Sequence, residues 1–88
     1  MRLDSPEADL LFTALGNKAR RRILQRLAEK PARSISELAR EFGISSTAVS
    51  NHIKLLESAG LVARTQRGKY SQIQINTASL LLGSLTLK

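Results

Sequence analysis

Apolar residues recur along this chain first at helical spacing and then, after about residue 61, at alternate positions. The first part carries a succession of helix start and stop signals. Ser5-Pro6-Glu7 reads as a start: serine caps, proline is pre-set for the first helical position, and Glu7 and Asp9 suit the positive helix end. A helix over about 6–15 follows, with Leu11, Phe12 and Leu15 on one stripe and Gly16 as its stop. Asn17 caps a second helix over about 18–30, in which Ala19, Ile23, Leu27 and, on the flank, Leu24 recur at helical spacing; Pro31 ends it. Ser34-Ile35 reads as one short extended step, and Ser36 as the cap of a third helix over about 37–42 that Gly43 terminates. Ser45 caps a fourth helix running to about Ala59, with Gly60 as a left-handed stop.

The alternating part reads as a β-hairpin over about 61–75: Ala63 and Thr65, then Ser71, Ile73 and Ile75, around a turn at Arg67-Gly68-Lys69. Asn76 then caps a final helix over about 77–87. The expected fold is mainly α with a β-hairpin wing, in the order helix, helix, (short strand), helix, helix, strand, strand, helix. Two short helices joined by a tight glycine turn and followed by a basic hairpin make a winged helix-turn-helix. With 88 residues and no internal repeat or linker, residues 1–88 are read as one such domain, with the terminal helices set apart for dimerisation.

Charge gives this fold a partner. Fourteen Lys and Arg against seven Asp and Glu leave a net charge of +7, which favours a polyanion. Met1-Arg2-Leu3 is followed at once by Asp4, Glu7 and Asp9, unlike a secretory leader, and the apolar runs are too short to span a membrane. A cytoplasmic, nucleoid-associated protein that binds double-stranded DNA and no membrane is the expectation.

On a wheel of 100° per residue, the fourth helix puts Ser46, Thr47, Ser50, Asn51 and Lys54 on one side and Val49, Ile53, Leu56 and Ala59 on the other. The outer side has hydroxyls, an amide and one cation, with no acid before Glu57. Such groups meet base edges: asparagine pairs with adenine in two places, and a threonine methyl touches a thymine methyl. Ser45, Ser46 and Thr47 at the first turn also offer hydroxyls and backbone N–H groups to a phosphate. His52, the single histidine, sits where the two sides meet; with no cysteine and no second histidine it is read as structural or phosphate-contacting. Arg64, Arg67 and Lys69 make the hairpin a basic wing for phosphates or a minor groove.

Two features stay open at this level. Lys18, Arg20, Arg21 and Arg22 crowd the start of the second helix, where the macrodipole opposes cations. Either some of them, Arg20 foremost, contact phosphate, or they pair with Asp4, Glu7 or Asp9 at and before the start of the first helix. Leu10 and Leu11, with Leu81, Leu82 and Leu85, either complete the core of one chain or form a two-fold dimer interface that sets two recognition helices about one DNA turn (~34 Å) apart.

The ordered set Phe12-Thr13-Ala14-Leu15-Gly16-Asn17, Arg20, Ile23-Leu24, Ser36-Glu37-Leu38-Ala39, Ser45 to Leu56, Ala59-Gly60-Leu61-Val62 and Gly68-Lys69-Tyr70 resembles the ArsR (arsenic-repressor-like) family of winged-helix repressors. The resemblance implies a dimeric transcriptional regulator, usually a repressor on an inverted-repeat operator. It implies base contacts at Ser46, Thr47, Ser50 and Asn51 and wing contacts near Arg67 and Lys69. The family's sensors are a different matter. Metal-sensing members carry a cysteine pair where this chain reads Glu37-Leu38-Ala39-Arg40, or Asp and His ligands where it reads Ala78 to Ser84. Soft metals need thiolate or imidazole, so no metal site and no cofactor are expected, and a small-molecule effector is left unassigned. No nucleophile–base pair or carboxylate dyad points to an enzyme. The competing function is a winged-helix interaction module whose basic surface docks an acidic protein.

Overall fold

The computed structural model describes residues 3–76. The final helix expected over 77–87, with Leu81, Leu82 and Leu85, lies outside the described residues. Four helices come first: α1 (Pro6–Leu15), α2 (Lys18–Glu29), α3 (Ile35–Phe42) and α4 (Ser46–Ser58). An antiparallel hairpin follows, β1 (Val62–Arg67) and β2 (Tyr70–Ile75). The described residues thus form the helices and wing of a winged helix-turn-helix.

Side-chain caps start each helix. The Ser5 hydroxyl accepts from the Ala8 N–H at 3.1 Å, Asn17 Oδ1 from Arg20 N–H at 3.1 Å, and Ser45 Oγ from Ala48 N–H at 3.0 Å. The third cap differs from the expected one. Ser34, not Ser36, accepts from Glu37 N–H at 3.0 Å, and α3 begins at Ile35. Glu37 stands three residues after Ser34, the capping-box spacing, and its carboxylate accepts from the Arg33 N–H at 2.7 Å. The extended step accordingly falls earlier, at Ala32, which exchanges two 2.8 Å hydrogen bonds with Ile73. Pro31 keeps its neighbour Lys30 extended and so begins this step.

Gly16 stops α1 for a reason other than handedness. Its φ is −74°, open to any residue, but a Cβ there would stand 2.9 Å from the Phe12 carbonyl oxygen. At the far end, α4 closes with Gly60 N–H bonded to Glu57 O and Leu61 N–H to Leu56 O, the paired bonds of a Schellman ending.

The core gathers on α4. Val49, Ile53 and Leu56 are fully buried and pack with Ile23 and Leu27 of α2, Leu38 and Ala39 of α3, Ala14 of α1, and Val62 and Ile73 of the hairpin. Burial of each large aliphatic side chain stabilises by about 1.5–3 kcal/mol. Register sets the hairpin's inward face: Val62 pairs with Ile75 and Arg64 with Ile73, so Val62, Ile73 and Ile75 share one face. Ala63 and Thr65, opposite Gln74 and Gln72, lie on the other. α1 also departs from expectation. Its buried residues are Ala8 and Ala14, whereas Phe12 is 55% and Leu10 43% exposed; Leu11 and Leu15 are half-buried.

Candidate nucleic-acid interface

The inward anchors of α4 fix which of its residues face out. With Val49, Ile53 and Leu56 in the core, Ser46, Thr47, Asn51 and Lys54 are exposed and Ser50 is half-buried. The face predicted from the wheel is the face observed. Ser45 is also exposed, but its hydroxyl is committed to the cap. The one carboxylate on α4, Glu57, sits at the far end and is paired with Arg64, whose Nε and Nη2 lie 3.0 and 2.9 Å from Glu57 Oε1. The near end is therefore an uncharged hydrogen-bonding surface with a cation, Lys54, one further turn along.

That pairing gives Arg64 a structural partner. Cross-strand register places it on the same face of the hairpin as Ile73, and its guanidinium, though exposed, reaches Glu57 and links the wing to α4. The wing turn itself is two residues long. Arg67 pairs with Tyr70, leaving Gly68-Lys69 as the loop, and Gly68 at φ +60° fits the first position of a type II′ turn. Gln66 stiffens it: Gln66 Nε2 donates to Gly68 O at 2.9 Å and Gln66 Oε1 accepts from Ser71 Oγ at 3.0 Å. Lys69 is presented, exposed, from this clipped turn. Nothing in the apolar–polar pattern had singled out Gln66.

Arg20 has a different place from the one expected. Its Nε donates to Ala14 O at 3.0 Å, its Nη2 to Thr13 O at 2.8 Å, and Nη1 stands 3.2 Å from His52 Nδ1. Arg21 Nη1 donates to Leu15 O. The cations that oppose the dipole of α2 thus sit at the negative end of α1, where they satisfy carbonyls that have no helical partner. The expected ion pairs with Asp4, Glu7 or Asp9 do not form at these two residues: within the chain they bind main chain.

His52 receives this guanidinium as a neutral imidazole. Burial, and second the charge of Arg20, hold its pKa below the ordinary value of 6.5. Nδ1 then accepts from Arg20 and the proton resides on Nε2. Arg20 so ties the end of α1 and the start of α2 to the recognition-type helix α4.

Leu3, ahead of α1, and Leu10 and Phe12, on different sides of it, are 78%, 43% and 55% exposed. Among the described residues, no three His, Cys, Asp or Glu side chains gather as a metal-ligand set, and no helix is long and apolar enough to cross a membrane.

Comparison with known proteins matches this geometry. A helix-turn-helix domain family matches residues 15–65. The chain is 35% identical to the HTH-type transcriptional regulator YuzN of Bacillus subtilis, over 82% of this chain and 85% of that one. Among solved structures, an ArsR-like transcriptional regulator from Rhodococcus sp. RHA1 superposes with a TM-score of 0.78 at 30% identity, covering 92% of this chain and 73% of that chain. The homodimeric winged helix-turn-helix DNA-binding domain of a Mycobacterium bovis protein superposes with a TM-score of 0.76 at 23% identity, covering 99% and 88%.

Proposed function

The chain belongs to the ArsR-type winged helix-turn-helix transcriptional regulators, and from that premise we propose that it is a homodimeric repressor that reads an inverted-repeat operator without a metal switch. The observation that carries the reading is the outer face of α4, where Ser46, Thr47 and Asn51 stand exposed with no carboxylate among them. In the proposed complex Ser46, Thr47, Ser50 and Asn51 meet base edges, Lys54 a flanking phosphate, and Lys69, with Arg67, the backbone beyond the wing. Exposed Leu10 and Phe12 on α1 support a two-fold contact there, in which Leu11 and the leucines at 81, 82 and 85 take part. The homodimeric Mycobacterium bovis domain supports the same arrangement. Without cysteine and with a single histidine, the chain lacks the donors a soft-metal sensor needs. Its work on chromosomal DNA places it in the cytoplasm, on the nucleoid.

The test is capture of genomic fragments by the purified protein, followed by footprinting of those retained. The expected footprint has two symmetric halves centred about one helical turn apart (~34 Å). Retention of fragments without a shared sequence, or protection of one half only, would contradict the dimeric operator-reading mode.

A further inference from the structure

The antiparallel bridge between Ala32 and Ile73 adds a third extended segment to the edge of the hairpin and gives it two ends. On one side of the bridge the chain goes from Ala32 to Arg33 as β2 goes back to Gln72 and on to the wing turn. An open groove of about 820 Å³ lies there, between α3 and β2, lined by Lys30, Arg33, Ser36, Arg40 and Gln72 with Glu37. On the other side a groove of about 420 Å³ is lined by Leu27, Ala28, Pro31 and Ile75 with Glu29, Lys30 and Gln74. Lys30 borders both grooves, whereas Arg33 and Arg40 line only the one that points toward the wing.

The charges in the wing-side groove are available. Glu37, its one acid, already accepts from Arg26 Nη2 at 3.2 Å and from the Arg33 N–H. Lys30 lies near enough to Glu41 to help hold that carboxyl below its usual pKa, although the larger influence there is the hydrogen bond from Arg26. Arg33 and Arg40 have no carboxylate partner among the described residues, and both are exposed. They contrast with Arg20, Arg21, Arg26 and Arg64, whose guanidiniums are all engaged within the chain.

Resting on the DNA-binding reading above, we propose that this groove is a second phosphate site, which takes a stretch of DNA sugar–phosphate backbone alongside the wing. Arg33 and Arg40 supply the cations, and the Ser36 hydroxyl and Gln72 amide line the same groove as further hydrogen-bonding groups. A groove of this size and sign, on the side of the sheet that leads to Lys69, extends the footprint outside the major groove. Its contacts are independent of sequence.

Salt dependence of binding reads this directly, because each neutralised phosphate contributes about 0.9 to the slope of log K against log salt. The intact protein is titrated onto a mixed-sequence duplex several turns long, by fluorescence anisotropy across a salt series. Arg33→Gln/Arg40→Gln is expected to lower the slope by about 1.8 per protomer and weaken binding by about an order of magnitude per contact near 0.1 M salt. Lys18→Gln/Arg22→Gln removes the same charge elsewhere and is expected to leave the slope near the wild-type value. Circular dichroism confirms that both variants fold. Equal losses in the two variants would reduce the effect to net charge and overturn the site. An unchanged slope in Arg33→Gln/Arg40→Gln, with normal wild-type binding, overturns the groove alone; a wild type that does not bind duplex overturns the DNA-binding reading itself. Thermal stabilisation by inorganic phosphate or ATP that only Arg33→Gln/Arg40→Gln abolishes, with the DNA slope intact, would make the groove a small-anion pocket and overturn the assignment.

Discussion

The start of α2 and the outer face of α4 are the two most conspicuous polar surfaces in the chain, and they have opposite fates. The first carries Lys18, Arg20, Arg21 and Arg22, the densest run of positive charge; the second carries hydroxyls, an amide and one lysine. Yet the guanidiniums of Arg20 and Arg21 are engaged by the carbonyls of Thr13, Ala14 and Leu15, while Ser46, Thr47 and Asn51 stay exposed. The contrast teaches that charge density does not mark a ligand surface. A donor already engaged by its own chain contributes to stability; a donor left without such a partner can serve recognition. The two regions also touch, through Arg20 and His52, so the clasp that joins the helices also fixes how α4 is presented.

The contrast is broken most severely at Arg20. Arg20→Ala removes charge-assisted bonds to Thr13 and Ala14, each worth about 1.5–3 kcal/mol where solvent is excluded and less at this half-exposed site. A net loss of about 2–3 kcal/mol is expected, or roughly 10–20 °C in melting temperature at fixed protein concentration. Arg20→Lys should recover only part, since a point charge cannot occupy the fork. A melting temperature within a degree or two of wild type for Arg20→Ala would remove the clasp from the account.

Ser45→Ala sharpens the comparison at the α4 end. Loss of this cap is expected to cost about 1 kcal/mol in denaturant unfolding, because the Ala48 N–H loses its acceptor. Thr47→Ala, two residues on and exposed, should stay within about 0.5 kcal/mol. If Thr47→Ala were the more destabilising of the two, the outer face would be structural. A smaller effect belongs to the wing: Glu57→Gln frees Arg64, and a partly exposed pair of this kind contributes only about 0–1 kcal/mol. The change should register as faster hydrogen exchange in the hairpin more than as lost stability.

The smallest effect is a matter of pH. His52 has a folded-state pKa held below 6.5, first by burial and then by Arg20, so the unfolded chain binds its proton more readily than the folded one. Its contribution to stability is complete above about pH 6.5 and falls away as pH drops below that value. His52→Gln is expected to flatten this part of the stability–pH curve. An identical slope in the variant would assign the dependence to other groups.

How much was readable beforehand follows from the range of the interactions. The α4 face was legible because a single helix wheel, anchored by Val49, Ile53 and Leu56, determines both its sides. Ser45 and Gly60 were legible as local signals. Ser34 and Ser36 both offer a cap to α3, and only the capping-box spacing from Ser34 to Glu37 separates them. The fates of Arg20 and Arg64 were not legible, since each depends on a partner from another element: the end of α1 for one, Glu57 for the other. The groove at Arg33 and Arg40 was not legible either: the two stand seven residues apart at α3, but its other wall, Gln72 of β2, comes alongside only through the Ala32–Ile73 bridge. In α1 the large apolar residues suggested a core stripe, but α1 buries its alanines, leaving Leu10 and Phe12 outside.

The central claim is that the uncharged face of α4 reads bases while the wing holds backbone. Measuring the affinity of Asn51→Ala and Lys69→Ala for the captured operator and for a mixed-sequence duplex, at one salt concentration, tests it most directly. Asn51→Ala should lose about 1–3 kcal/mol of discrimination with little change on mixed sequence. Lys69→Ala should weaken both duplexes alike and reduce the salt slope by about 1. Parallel losses on both duplexes in Asn51→Ala would contradict base readout by this helix.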